Sequence, residues 1–495
     1  MREGRAGRRQ GSARTRWRAT ASLLCSALLV AGCGRTVIQG QARSMLYDPF
    51  RVAGLPVSQS PSGLRPNAPG PRGSVANTDN GAIDRLALSA INDIEDFWGQ
   101  NYSESLHGTF RPVSGVVSYD STDRDSPSVC GNATYGETNA FYCFNENKMA
   151  WDRGKLMPVV KKNFGEMGVV GVLAHEYGHA VQSMSKLIDP DTTPVVVGEQ
   201  QADCLAGVYL RWVAEEDSPR FTLSTGDGLN HVLAGLIASR DPTLTPLDAR
   251  MLEQGHGTAL DRVGAFQIGF DEGTEACTRI DMSEINERRG DLPMSLQFDQ
   301  SGNMQTGEVR IDSDTLSTLM EILSQVFSPA NPPLLSTERA DCAGATPSKP
   351  ASYCPATNTI NVNLPALQQM GAAADLADNS LITGDNTALS VVISRYALAV
   401  QHERGVALTS ATTALRTACL TGVAQRKMAD PIKVSSGKVL QLAAGDIDEA
   451  VTGLLANGLV ASDVDGQPAP AGFTRIVAFR LGLQGEAGQC FQRFS

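Results

Sequence analysis

Residues Val169 to Ser183 read VVGVLAHEYGHAVQS and hold His175, Glu176 and His179 in the pattern His-Glu-x-x-His. On a helix, positions i and i+4 share a face, so two imidazoles at that spacing can grip one metal ion. Glu176 follows His175 directly and can reach a water on that metal, take its proton and pass it to a leaving amine. Zn2+ fits these donors, and it lowers the pKa of its water to about 7. Downstream, VVVGEQQADCLAGVYLRWV (195–213) sets Glu199 and Asp203 at i and i+4 again. Catalytic zinc sites take three protein ligands and keep a fourth position open, which makes Glu199 the third ligand beside His175 and His179. Asp203 can accept a hydrogen bond from a ligand imidazole and fix its tautomer. Two acids on an otherwise apolar helix would be costly to bury without such partners.

The elements that must position these groups are visible in the same stretches. Val169, Val170, Val172, Leu173 and Val181 make the first segment a largely buried helix. Gly178 costs that helix about 1 kcal/mol relative to alanine, and a close approach of metal or backbone would explain its presence. Upstream, Ile83, Leu86, Ala90, Ile94 and Trp98 fall at helical spacing and predict an amphipathic helix over 82–100. A strand is predicted at Gly115–Tyr119, and the stretch from Phe141 to Trp151 reads as an edge strand. Downstream come Leu229–Ser239 with His231 and Leu247–Cys277 with His256; either histidine could stabilise an oxyanion. Tyr177, inside the motif, reads as a core residue.

Four blocks together carry a family resemblance: FYCFNENKMAWD (141–152), VLAHEYGHAVQ (172–182), EQQADCLAGV (199–208) and HGTALDRVGAFQIGFDEGTEAC (256–277). Across roughly residues 83–280 the chain resembles the bacterial neutral zinc metallopeptidases, within the wider zincin group. The resemblance implies a zincin-like fold with His175, His179 and Glu199 as ligands and Glu176 as the base. It also implies that an edge strand beside the metal helix receives a substrate backbone by strand addition. His256 lies in the shared HGT stretch, which makes it the preferred oxyanion candidate.

The start of the chain has a different character. Seven arginines precede an apolar run from Ala19 to Ala31. That run is too short for a bilayer, which needs about 20 residues. It ends in Val30-Ala31-Gly32-Cys33, which resembles a bacterial lipobox, so cleavage is expected before Cys33, with lipid on Cys33. The removed segment carries those arginines and Glu3, and its loss takes the formal charge from −11 to −17. An acidic chain without a basic stripe argues against a nucleic-acid partner. Residues 40–80 are rich in Pro, Gly, Ser and Asn and read as a flexible tether.

The later half repeats the earlier one in order. VLAHEYGHAVQ is echoed by VVISRYALAVQ (391–401), ADCLAGV by TACLTGV (417–423), and STGDGLNHVLAGLIAS (224–239) by AAGDIDEAVTGLLANG (443–458). FYCFNENKMAWD is echoed by SYCPATNTINVN, and DRVGAFQIGFDEGTEAC by TRIVAFRLGLQGEAGQC. Ordered echoes of this kind mark an internal repeat. The chemistry is missing from the copy: Ser394, Arg395 and Leu398 stand for His175, Glu176 and His179, and Ala414 and Ala418 for Glu199 and Asp203. Of ten cysteines, Cys25 leaves with the signal and Cys33 takes the lipid. Eight remain to pair outside the cell. The repeat argues for Cys130–Cys143, Cys204–Cys277, Cys342–Cys354 and Cys419–Cys490. His402 is expected to be exposed and without a partner.

These readings predict an α+β chain with two tandem zincin-like domains, the second a metal-less degenerate copy of the first. The expected divisions are a lipoprotein signal peptide (1–32), a flexible tether (33–80), a zinc metallopeptidase domain (81–280), a linker with one short strand (281–308), opening helix 309–327, and the degenerate domain (309–495). The activity expected is zinc-dependent endopeptidase cleavage of a protein or peptide substrate. The localisation expected is lipid-anchored on the extracytoplasmic face of the cell membrane. The alternative is a non-catalytic zinc-binding lipoprotein, an envelope scaffold or binding module. Glu176 discriminates, since a structural zinc needs no base and tends to be closed by a fourth protein ligand. Zinc-assisted hydrolysis of a non-peptide amide is a third class, without a dedicated motif.

Overall fold

The segment around His175 is apolar on nearly all sides, and the fold surrounds it accordingly. A computed structural model describes residues 47–495 apart from 249, 299–301, 339–340 and 374–380. The chain enters through short strands β1 (Arg51–Val52), β2 (Leu55–Pro56) and β3 (Gly63–Leu64), followed by helix α1 (Ala82–Ser105). Strands β4 (Gly115–Tyr119), β5 (Ala140–Cys143) and β6 (Lys148–Asp152) form one sheet in the order β4-β6-β5. β4 runs parallel and β5 antiparallel to β6, which leaves β5 as a sheet edge. Helix α2 (Leu156–Ser185) then packs against α1, β5, α3 (Val195–Ala214) and, after β7 (Phe221–Thr222), α4 (Asp227–Ala238). Gly165 interrupts α2 at φ 70°, a conformation that favours glycine, so the motif rides on a separate helical segment from Glu166 onward. Helix α5 (Ala259–Glu272) opens with a capping box, Thr258 with Asp261, and lies along α3.

The expectation of a flexible tether fails over its described part. Residues 47–80 form a strap. β3 pairs with β7, Arg65 Nε donates to the carbonyls of Ser218 and Phe221, and Ala76 bridges to Val117. Gly, Pro and Ser composition signals little apolar burial, yet backbone hydrogen bonds to a preformed surface need none. The linker expectation over 281–308 is corrected as well. Helix α6 (Met282–Arg289), capped by Asp281, sits there and ties back through Arg289 to Asp261 at 2.9 Å.

Beyond it, α7 (Ser313–Phe327) starts four residues later than expected because Asp312 caps it. Strands β8 (Leu334–Ser336), β9 (Ala351–Cys354) and β10 (Thr359–Val362) form a sheet ordered β8-β10-β9. β8 runs parallel and β9 antiparallel to β10, the same senses as in the first sheet. Helices α8 (Asp385–Glu403), α9 (Ala411–Met428), α10 (Asp446–Ala456) and α11 (Gly472–Leu483) follow. The disulfides join Cys130 to Cys143, Cys204 to Cys277, Cys342 to Cys354 and Cys419 to Cys490. His402 is exposed as expected, but its Nδ1 does have a partner, the Tyr353 hydroxyl at 2.8 Å. Cys33, the lipid position, and residues 1–32, the signal segment, lie outside the described residues. No described helix is long and apolar enough to cross a membrane.

Two glycine contacts set the spacing of the main helix pairs. A Cβ on Gly269 would stand 1.8 Å from the Cys204 carbonyl, and one on Gly482 would stand 1.9 Å from the Cys419 carbonyl. Only glycine permits α3 to lie this close to α5, and α9 to α11. One continuous hydrophobic core runs through both halves. Phe270 meets Phe473 across their junction at 5.3 Å, Gln267 Nε2 donates to the Phe473 carbonyl, and Asp448 accepts from Ala259 N and approaches Arg240 Nε at 3.4 Å.

Candidate metal centre

Helix α2 places His175 and His179 one turn apart, with ring centroids 5.0 Å apart. The neighbouring α3 brings Glu199 between them, Oε2 3.2 Å from His175 Nε2 and Oε1 3.5 Å from His179 Nε2. Gly178 is the contact that allows this: a Cβ there would lie 2.9 Å from the Cα of Ala202 on α3. The close approach that its presence called for is one of backbone.

The outward nitrogens of both imidazoles are already committed. His175 Nδ1 lies 2.7 Å from Asp203 Oδ1, and His179 Nδ1 lies 2.9 Å from Gln182 Oε1. Gln182 donates its Nε2 to the Gly198 carbonyl and to Gln201, which turns its oxygen toward His179. Both acceptors therefore hold the hydrogen on Nδ1 and leave a lone pair on Nε2. Two imidazole lone pairs and a carboxylate then face one another. Glu199 Oε2 is buried there without a hydrogen-bond partner. Acceptor against acceptor at this range is unfavourable unless a proton or a cation lies between. Burial works against charge on His175, yet Asp203 and Glu199 push the metal-free imidazole up to about 10. A metal ion and a proton compete for the same Nε2.

Asp203 is fully buried, and burial alone would raise its carboxyl. Arg262, on α5, overcomes this with a two-pronged contact, Nε to Oδ2 at 2.9 Å and Nη2 to Oδ1 at 2.8 Å. Together with His175 it holds Asp203 down to about 2. Arg262 is itself buried and also donates to the Ser239 carbonyl. Arg262 and Gln182 are the members that the sequence reading missed. Arg262 could have been found as a charged residue inside the apolar DRVGAF block, where only a buried partner makes it tolerable.

Glu176 stands at the open side. Its Oε2 accepts a hydrogen bond from Tyr142 N at 3.2 Å, so the carboxylate lies against edge strand β5. Burial raises its carboxyl, with the two imidazoles pulling the other way. Tyr177 is buried, with its hydroxyl on Glu95, the core role expected of it. His256 is half exposed, with Nε2 3.5 Å from Glu199 Oε2 and Nδ1 3.6 Å from Asp241. The structure thus gathers His175, Glu176, His179, Glu199, Asp203 and His256 in one place. His231 is exposed on α4, and no hydrogen bond or ion pair joins it to this group among the described residues.

The donors fit Zn2+: two imidazole nitrogens and one carboxylate oxygen, all within 4.8 Å of one another, with one carboxylate oxygen orphaned. No curated protein and no solved structure matches the chain. A family model, described as putative neutral zinc metallopeptidase, matches residues 26–279, more than half of the chain. The chain belongs to the putative neutral zinc metallopeptidase family, and Zn2+ is the cofactor that membership implies.

Proposed function

We propose that this chain is a zinc endopeptidase, tethered by lipid on Cys33 to the extracytoplasmic face of a cell membrane, whose second half is a metal-less copy of the first. The observation that carries the catalytic reading is the buried Glu199 carboxylate, with Oε2 toward His175 Nε2 and without a hydrogen-bond partner and Oε1 toward His179 Nε2, while the other nitrogen of each imidazole is pinned. His175, His179 and Glu199 would hold the ion, and Asp203 with Arg262 would keep His175 in its ligating tautomer. Zinc, when bound, supplies a Lewis acid and lowers the pKa of the water it holds. Glu176 takes the proton of the attacking water on its carboxylate and delivers it to the departing amine. A carboxylate within reach of both the water and the amine can serve both halves of that exchange. The free edge of β5 runs past Glu176, which suits a substrate backbone added as a further strand. His256, beside Glu199 and partly exposed, is positioned to donate to an oxyanion.

Support for the repeat comes from matched details. Tyr142 donates to Asn147 Oδ1 at 2.9 Å, and Tyr353 donates to Asn358 Oδ1 at 2.9 Å. At the junction, Ala259 N donates to Asp448, and Gly472 N, at the place matching Ala259, donates to Asn230, one position along from the match of Asp448. Contacts that return this nearly to matched positions resemble those of a two-fold pair of like units. We read the second half as a brace: it grips α5 at Ala259 and Gln267, and α5 carries Arg262.

Elemental analysis of the full-length chain and a peptide-cleavage assay test the reading. One zinc per chain is expected, with cleavage lowered about 10²–10⁴-fold in Glu176→Gln while zinc is retained. Zinc without cleavage in the parent chain would instead favour the scaffold reading, and no zinc after reconstitution would sink both.

A further inference from the structure

A second group of acids, remote in sequence from the metal motif, lies in the later half. Glu308 precedes α7, Asp385 and Gly384 begin α8, and Asp446 and Glu449 begin α10. Asp385, Asp446 and Glu449 are buried, while Glu308 is exposed and forms the mouth. Each carboxylate is held by one backbone N–H on one oxygen. Asp385 N donates to Glu308 Oε2 at 3.0 Å, Asn386 N to Glu449 Oε2 at 2.8 Å, Ala443 N to Asp446 Oδ2 at 2.8 Å, and Val309 N to Asp385 Oδ2.

The other oxygens are left over. Asp385 Oδ1 and Asp446 Oδ1 are buried without any hydrogen-bond partner. Glu449 Oε1 and Glu308 Oε1 converge over Gly384, where a Cβ would stand 2.2 Å from one and 2.7 Å from the other. Oxygens of Glu308, Asp385 and Glu449 all lie within 4.8 Å of one another. None of the four acids has an ion-pair partner among the described residues. The first half supplies a control. Leu64 N donates to Glu166 as Val309 N donates to Asp385, and Glu166 pairs with Lys161 at 3.0 Å. At the places of Glu308 and Glu449 the first half has Gly63 and Asn230, and its Asp227, matching Asp446, is exposed. There the charge is lower and has a counter-ion; here three carboxylates converge, Asp446 lies one helical turn before Glu449, and none of them has an ion-pair partner among the described residues.

We propose that Glu308, Asp385 and Glu449, with the buried Asp446 one helical turn before Glu449, form a site for a hard divalent cation, of which Ca2+ is the best fit. Only oxygen donors are present, which selects Ca2+, Mg2+ or Mn2+ over zinc. Ca2+ accepts several carboxylates in irregular geometry and completes its shell with water, here from the side of Glu308. Because the site joins the start of α8 to the start of α10 and to the segment before α7, the ion clamps the second half.

The test uses the zinc-loaded full chain in calcium-free buffer, with calcium titrated by calorimetry and Tm measured in parallel. One calcium per chain and a Tm rise of about 2–5 °C at saturation are expected. Glu449→Gln and Asp385→Asn should each abolish the binding heat and the calcium-dependent rise, with zinc content unchanged and the chain folded. No heat and no Tm change with Ca2+, Mg2+ or Mn2+ at about 10 mM would overturn the proposal and leave a cluster of protonated carboxyls. Calcium binding that persists in both variants would overturn it too.

Discussion

The helix pair α2–α3 and the helix pair α8–α9 share a frame and differ in what fills the space between the helices and the sheet edge. In the first, His175, Glu176 and His179 face Glu199, and Tyr142 N on β5 points at Glu176. In the second, Ser394 turns its hydroxyl onto its own helix at Val391, Leu398 is buried, and Arg395 reaches Ala351 of β9 and Ser462. The strand edge presents an N–H to a carboxylate in one case and a carbonyl to a guanidinium in the other. Gln182 and Gln401 stand at equivalent positions: the first accepts from His179, and the second accepts from Arg416 at 3.0 Å. Burial lowers the Arg395 guanidinium to about 10, and its charge would repel a dication. The frame is held by close helix contacts and apolar burial, so it tolerates the exchange of His175, Glu176, His179, Glu199 and Asp203 for Ser394, Arg395, Leu398, Ala414 and Ala418. The cleft chemistry needs each of its members at once.

The largest expected effect comes from making the first cleft resemble the second. His179→Leu should take zinc from one per chain to none and cleavage down by 10³-fold or more, order of magnitude, at little cost in folding. Retention of tightly bound zinc in that variant would break the comparison. Arg262→Met leaves Asp203 buried without its cation. A stability loss of about 3 kcal/mol in denaturant unfolding and about 10–100-fold weaker zinc binding are expected. If zinc affinity in a competition titration did not move, Arg262 would have no part in orienting His175.

The frame itself is tested by Gly269→Ala and Gly482→Ala. Each drives a methyl group into a backbone carbonyl, so each should cost roughly 3 kcal/mol or more, and by similar amounts. A large cost in one half and none in the other would show that the two halves are packed by different rules. The smallest effect concerns the junction. Burial, the main cause, pushes Asp448 up to about 6. The folded state thus favours its protonated form. The stability this contributes is complete below the unfolded value near 4 and is lost as pH rises through 6. Asp448→Asn should flatten the stability profile between pH 4 and 6, by on the order of 2 kcal/mol. An unchanged profile would mean that Arg240 offsets the burial of the charge.

Much of this was legible along the chain because it rests on local periodicity. The i, i+4 spacing puts His175 over His179 and Glu199 over Asp203 on any helix, and apolar periodicity marks those helices. The strand at Gly115–Tyr119 falls where it was expected, and cysteine spacing repeated in two blocks was enough to choose the pairing found. The sequence by itself thus determined which residues share a helix face, which cysteines correspond and which blocks recur. Tertiary structure alone decided that Arg262 reaches Asp203 from 59 positions away, and that residues 47–80 bind a distant surface as a strap. It also decided that Glu308, Asp385 and Glu449 meet. The reason is physical: a helix or strand pattern reports the face a segment buries. The partner that neutralises a buried charge, or takes up a free backbone N–H, is set by packing between segments whose separation no local pattern records.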